Sequence, residues 1–283
     1  MIMKERRIIL SLLFAWLLTG CAATQRSIGA KRDNAALHDM ETLKKVCRKS
    51  PNYGKRVQVF GGSLSINRES EAAKDLWRTM LGMEVESCGM GGAKFALDTV
   101  RGRVTNLGAQ NGLTAHTDYN CIQSQVRWYA RPDCDIYVLW CSTNDCTQGD
   151  PVGLPTDCSE ADGYDESKRN TQCGGINWSV RHLRTLNPKA KIYLFDSLPY
   201  FQNPRGYSRE PQPDGATLWQ YVRAQRECAK RQGVKVLHQF DCPVVSDPSA
   251  GFYMPDRLHL TEVGYSHIAP LQVWFLATEE SPF

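Results

Sequence analysis

The chain has 283 residues, 42% of them hydrophobic and 23% charged, and a formal net charge of +4. A balance this close to neutral, with no long Lys/Arg block, argues against nucleic acid as a partner. No internal repeat or low-complexity tract interrupts it, and about 260 residues beyond the N-terminal segment suffice for one substantial core, so a single domain is expected.

Lys4, Arg6 and Arg7 form a basic flank before the apolar run Ile8 to Leu18. The run is too short to span a bilayer, which needs ~20 residues, and has the length of a signal-peptide core. It ends in Leu18-Thr19-Gly20-Cys21, which looks like a bacterial lipobox. Residues 1–20 are therefore expected to be a lipoprotein signal peptide, with Cys21 lipidated and holding the protein on a membrane. The competing reading is an ordinary secretory signal with a chance cysteine. Residues 1–20 carry three basic and one acidic side chain, which leaves +2 on the chain from Cys21 onward. The expected location is the cell envelope of a bacterium, at the outer membrane or cell surface.

Eleven cysteines are present, and ten remain if Cys21 is lipidated: Cys47, Cys88, Cys121, Cys134, Cys141, Cys146, Cys158, Cys173, Cys228 and Cys242. An even number in an exported protein suggests disulfides, whose pairing the sequence does not give. Cys141 ends an apolar strand and reads equally well as a free core thiol. No C-x-x-C pair occurs and the six histidines do not cluster with cysteines, so no metal site is expected.

Residues 21–50 read as the lipidated cysteine, a polar tether and a short helix, in which Leu37, Met40, Leu43 and Val46 recur at helical spacing until Pro51 to Gly54 breaks it. The domain proper is expected over 51–283. Arg56 to Phe60 alternates as a strand that runs into Gly61-Gly62-Ser63. Asn67 is placed to cap a helix with Ala73, Leu76, Trp77 and Met80 on one face and Gly82 at its end. Met83 to Ser87 is a short strand leading to Gly89-Met90-Gly91-Gly92. Residues 93–113 read as irregular, and a helix follows from about Asp118 to Ala130. Asp135 to Cys141 is continuously apolar, as a parallel strand buried on both faces would be. A polar stretch, 147–175, precedes a helix near Ile176 to Leu186 and a strand over Lys191 to Phe195. A Pro-, Tyr- and Gln-rich loop, a helix over Thr217 to Gln232, a strand over Val234 to Leu237 and a helix over 261–277, interrupted or kinked at Pro270, complete the chain. The alternation predicts a three-layer α/β/α sandwich around a mostly parallel five-stranded sheet.

Ser63, Gly92 and Asn144 each follow a predicted strand directly. In such sheets the sites lie beyond the carboxyl ends of the strands, so these residues fall on one edge. Ser63 stands where a strand stops and a helix is about to begin, a place for a projecting hydroxyl with N–H groups nearby, though it could equally be an ordinary serine at a helix start. Gly91 and Gly92 lie in a Gly-x-Gly-Gly turn that could present backbone donors, bind a nucleotide phosphate or simply supply positive φ. Asn144 offers an amide donor or a loop-bracing side chain. Asp256 and His259, three residues apart before the last helix, can form a carboxylate–imidazole pair. His116, His182, His238 and His267 have no aspartate at that spacing, and His38 falls in the tether.

The four blocks Gly61-Gly62-Ser63-Leu64, Gly89-Met90-Gly91-Gly92, Ser142-Thr143-Asn144-Asp145 and Asp256-Arg257-Leu258-His259 together resemble the SGNH hydrolases, or GDSL-type esterases. The resemblance covers most of 55–277 as short blocks. It implies the flavodoxin-like fold of that family and a serine esterase needing no metal or cofactor. It further implies that Ser63, Asp256 and His259 are catalytic, and that Ser63, Gly92 (with its neighbour Gly91) and Asn144 form the oxyanion hole. Three positions depart from the family pattern: Gly62 replaces the usual aspartate, Ser142 the usual glycine and Leu260 the usual proline. The Gly62 change removes a side chain that commonly braces the nucleophile turn. The implied partner is an ester substrate. An exported location favours an O-acetylated glycan, with the polar segments 147–175 and 199–214 shaping the pocket and Tyr200, Phe201 and Tyr207 stacking on sugar or covering core. The alternatives are a non-catalytic glycan-binding lipoprotein on the same scaffold, a lipase and a thioesterase.

Overall fold

The computed structural model describes residues 39–97, 104–107, 112–200, 216–242 and 247–283. The signal segment, Cys21 and the tether lie outside these residues, as do Phe201 and Tyr207.

Five strands form one parallel sheet: β1 (Arg56–Gly61), β2 (Glu84–Ser87), β5 (Ile136–Trp140), β6 (Lys191–Phe195) and β7 (Lys235–Leu237), in the order β2-β1-β5-β6-β7. Two further strands, β3 (Val104–Leu107) and β4 (His116–Tyr119), pair antiparallel outside it. The apolar runs of β5 and β6 divide by parity, as the period of a strand requires. Ile136, Val138, Trp140, Tyr193 and Phe195 join one core, while Tyr137, Leu139, Ile192 and Leu194 join the other.

The first core is covered by α1 (Met40–Arg48), α2 (Glu71–Leu81) and α8 (Glu262–Thr278), which pack on one another. Leu43 and Cys47 of α1 are fully buried there, so this helix belongs to the packed body. At its centre Trp77 of α2 stacks on Trp140, ring centroids 6.2 Å apart, and meets Phe195 edge-on at 5.7 Å. The second core lies under α3 (Ile122–Tyr129), α5 (Gln172–Leu186) and α6 (Leu218–Arg231). Two short helices complete the described chain, α4 (Asn144–Thr147) and α7 (Asp247–Tyr253). The architecture is the expected three-layer α/β/α sandwich, and among the described residues no helix is long and apolar enough to cross a membrane.

The local signals act as their chemistry dictates. Asn67 caps a 3-10 turn, Arg68–Ser70, that leads into α2, and Gly82 ends the helix at φ +61°. Thr217 and Gln220 form a capping box at the start of α6. Pro270 is accommodated inside a single helix from Glu262 to Thr278 instead of dividing it.

The structure corrects two expectations. The described cysteines include no disulfide: all ten are buried thiols, nine of them in the apolar clusters, where they fill space as small hydrophobic side chains do, and Cys121 against Ser124 Oγ at 3.3 Å. The expected helix start at Asp118 also moves, because Asp118 is spent in β4 and α3 begins at Ile122.

Candidate active site

The site is built at the carboxyl ends of β1 and β5. Gly61, the last residue of β1, has no room for a side chain, since a Cβ there would stand 2.7 Å from both Ser65 Oγ and Trp140 O. The amide of Gln125 binds both backbone groups of Gly61, accepting from its N–H at 2.9 Å and donating to its carbonyl at 3.0 Å. The chain then turns through the 3-10 segment Ser63–Ser65, and every carbonyl from Gly62 to Ser65 has a donor. Ser65 N–H and Oγ donate to Gly62 O at 3.0 and 2.8 Å, and Asn67 N–H donates to Ser63 O at 2.9 Å. The buried Tyr265 hydroxyl donates to Leu64 O at 2.7 Å, and Lys74 Nζ to Ser65 O at 2.9 Å. Lys74 is fully buried, and its three donors meet Ser65 O, Ser87 Oγ and Glu71 Oε1. Burial pulls its ammonium below the ordinary lysine range, opposed by Glu71. The turn is therefore pinned from below, which leaves the half-buried Ser63 side chain free to project.

It projects onto His259. Ser63 Oγ lies 2.8 Å from His259 Nε2, and His259 Nδ1 lies 2.6 Å from Asp256 Oδ2. The other oxygen of Asp256 accepts from the backbone N–H of Leu258 at 2.9 Å and of His259 at 2.7 Å. Burial pushes the Asp256 carboxyl upward, but these donors outweigh it and hold it below its usual range, so it is an anion facing the imidazole. The turn that allows this puts Arg257 at φ +61°, an uncommon conformation for a side chain of this kind. Thr261 follows, capping α8 by accepting from Gly264 N–H at 3.1 Å. A spacing of three residues thus lets the Asp256 carboxylate reach the His259 ring.

The glycine turn is tied to the loop after β5 through Ala93 and Asn144. Gly92 has φ +76°, and Ala93 N–H closes the turn on Met90 O at 3.2 Å. Its carbonyls are held by side-chain amides: Asn120 donates to Gly91 O at 3.0 Å, Gln148 to Gly92 O at 3.1 Å and Asn144 to Ala93 O at 2.7 Å. Asn144 uses one amide hydrogen on Ala93, and its second remains for the site. Asp145, fully buried, accepts from Phe95 N–H at 3.0 Å and Ala96 N–H at 2.8 Å, locking the strand-end loop to the glycine turn. Burial drives its carboxyl up to about 6, opposed by those same N–H groups. Beside it Lys94 and Asp150 form a buried ion pair at 2.5 Å.

Ser63, Asp256 and His259 thus form one continuous hydrogen-bonded row, and Asn144 stands against Gly62, the residue before Ser63. The Gly91–Gly92 turn is tied to Asn144 through Ala93. Ser65, two residues on, is turned inward and fully buried. His116 and His182 stack on Trp128 and Trp178, and His267 meets the ring of Tyr253. A cleft of about 1040 Å³ opens at Ser63 and His259, with Asn67, Glu69 and Glu262 on its walls. Of the three aromatic residues read as stacking on sugar or covering core, Tyr200 covers core: it is fully buried with Leu218, Tyr221 and Phe240. Segment 147–175 contributes no residue to this cleft. Only its start reaches the site, through Gln148 and Asp150. Asn120, Gln148, Ser142 and Lys74 were not identified from sequence, since each acts on a segment 9 to 56 residues away.

The pattern of the GDSL-like lipase/acylhydrolase family matches residues 59–267. No curated protein matches the sequence. One solved structure superposes with a TM-score of 0.65 at 20% identity, covering 81% of this chain and 99% of its own. A protein from Lactobacillus plantarum gives 0.57 at 18% identity, covering 79% and 97%. A possible lipase from Chitinophaga pinensis gives 0.56 at 18% identity, covering 78% and 97%. At these identities the likeness is one of fold.

Proposed function

Because the chain belongs to the GDSL-like lipase/acylhydrolase family, and so is an ester hydrolase of the SGNH superfamily, we propose that it works through an acyl-enzyme on Ser63. The observation that carries this reading is the unbroken row Ser63 Oγ, His259, Asp256, at 2.8 and 2.6 Å. His259 Nε2 takes the hydroxyl proton as Ser63 Oγ bonds to the ester carbonyl carbon. The carbonyl oxygen, now negative, is held by the N–H groups of Ser63 and Gly92 and the free amide hydrogen of Asn144. His259 then gives its proton to the leaving alcohol as the C–O bond breaks. A water, deprotonated by His259, attacks the acyl group, and the proton returns to Ser63 as the acid departs. Asp256 keeps the imidazole in the tautomer with Nε2 free and stabilises the imidazolium.

The substrate reading is an ester with a polar alcohol part, of which an O-acetylated glycan is our choice. Asn67, Glu69 and Glu262 on the cleft wall offer hydrogen-bonding groups to a polar alcohol part, beside the apolar Ala72, Pro255 and Leu260. The N-terminal segment ending at Cys21 supports an exported lipoprotein acting at the bacterial envelope.

The test is hydrolysis of p-nitrophenyl acetate by the protein lacking residues 1–21, beside Ser63→Ala and His259→Ala. Turnover abolished by both changes, with circular dichroism unchanged, is the expected result. Equal rates in all three proteins, repeated on acetylated sugars and longer esters, would leave the chain a binding protein on this scaffold. A rate that rises with acyl length would replace the glycan reading by a lipase or thioesterase.

A further inference from the structure

Two of the departures from the family pattern, Gly62 and Ser142, touch each other. Gly62 has ordinary extended backbone, φ −87° and ψ −160°, so its dihedrals do not demand glycine. Space does. A Cβ at this position would lie 2.9 Å from Asn144 Nδ2, 3.0 Å from Ser142 Cβ and 3.1 Å from Ala93 O. Three neighbours close this space, Asn144 Nδ2 nearest, and one of them is Ser142, itself buried. Its hydroxyl donates to Ala93 O at 2.9 Å and stands 3.3 Å from the N–H of Asn144. Its own carbonyl accepts from the buried Ser197 hydroxyl at 2.7 Å. Ala93 O therefore receives two donors, Ser142 Oγ and Asn144 Nδ2, which use both its lone pairs. The direction of that carbonyl sets the plane of the Asn144 amide, and the plane sets where the second amide hydrogen points.

We propose that Ser142 is a positioning residue for Asn144, matched to the glycine at 62. Its hydroxyl fixes the Ala93 carbonyl that orients the amide, and its Cβ occupies the room that a side chain at 62 would need. The missing acid and the added serine are then one packing solution, and the glycine at 62 is no sign of an impaired site. The inference rests on the reading of Ser63 as an esterase nucleophile with Asn144 as oxyanion donor.

The experiment compares wild type, Ser142→Ala, Ser142→Gly, Gly62→Ala and the double variant Gly62→Ala/Ser142→Gly. Each is assayed for kcat and KM on p-nitrophenyl acetate and for inhibition by methylboronic acid. The boron of that probe takes the Ser63 oxygen while the proton passes to His259, giving a tetrahedral anion that needs the same donors. Misplacing a donor by a fraction of an ångström costs ~10- to 100-fold. We expect Ser142→Ala to fold, to keep KM within about twofold, and to lose that factor in kcat and a similar factor in boronate affinity. Gly62→Ala is expected to be less harmful when combined with Ser142→Gly than alone, because one of its three contacts is then gone. A purely structural Ser142 would lower the melting temperature and leave kcat and boronate affinity of the folded protein unchanged; that result overturns the inference. So does a Gly62→Ala penalty that is the same in both backgrounds. A wild type that neither turns over ester nor binds the boronate removes the esterase reading, and this inference with it.

Discussion

In the proposed mechanism Asn144 has two duties on one amide: one hydrogen bonds Ala93 O at 2.7 Å, and the other is left for the oxyanion. Asn144→Ala should therefore lower kcat by ~10²–10³ with little change in KM, measured by steady-state ester hydrolysis. Asp256→Asn keeps the shape but no longer fixes the tautomer of His259, and a loss of ~10⁴ in kcat is expected by the same assay. Asp145 makes a different prediction. Its folded-state carboxyl is raised from 3.8 to about 6 by burial and, to a smaller extent, by Asp150, against the opposing pull of the Ala96 and Phe95 N–H groups and Lys94, so between those values it holds a proton that the unfolded chain releases. Its contribution is thus most favourable below pH 4 and is lost as pH rises through about 6. The loss is on the order of 3 kcal/mol. Urea melts between pH 4.5 and 7 should show a flatter pH dependence for Asp145→Asn than for wild type. At this scale the chemistry-bearing residues were legible, because Ser63, Asn144, Asp256 and His259 sit in short local patterns. Their supports were not. Lys74 occupies a helix position beside Ala73 and Trp77 where a lysine ordinarily faces water, and nothing local announces that Ser65 O, Ser87 and Glu71 will receive its ammonium.

At the scale of elements, the site depends on how two segments end. β1 stops at a glycine bound on both sides by Gln125, and the Ser63 turn hangs from it. The His259 turn is held at one end by Asp256 and at the other by the Thr261 cap of α8. Loss of that cap removes one hydrogen bond at the helix start. Thr261→Ala should cost about 1 kcal/mol, and a domain of this size should then melt about 2–4 °C lower by calorimetry. The strands of the parallel sheet were legible because β5 and β6 are runs of apolar residues between breakers. β3 and β4 were not: Val-Thr-Asn-Leu and His-Thr-Asp-Tyr lack the alternation that marks a half-buried strand, and their pairing is a contact between segments. Pro270 misled in the other direction. A proline within a helix loses one hydrogen bond, yet Ala269, Leu271 and Val273 around it are buried and keep α8 in one piece.

Across the whole molecule, two cores pack on opposite faces of one sheet, and Ser63 and Asn144 follow the carboxyl ends of its strands β1 and β5, where the turn before α8 brings His259 to Ser63. The cysteines show the limit of composition as evidence. An even count suggested cross-links, but nine of the ten described thiols lie in the apolar clusters as packing residues, a role that composition alone does not distinguish. The lipoprotein reading makes its own prediction: the full chain should fractionate with membranes and carry acyl chains on Cys21, and Cys21→Ala should release it, as membrane fractionation with mass spectrometry would show. The account as a whole turns on one claim, that His259 activates Ser63 as a nucleophile. The most direct measurement is reaction of the purified protein with a fluorophosphonate, followed by intact mass and peptide mapping. The account predicts a single adduct on Ser63, absent from Ser63→Ala and strongly slowed in His259→Ala. An adduct on another residue, or equal labelling of Ser63 with and without His259, would contradict it.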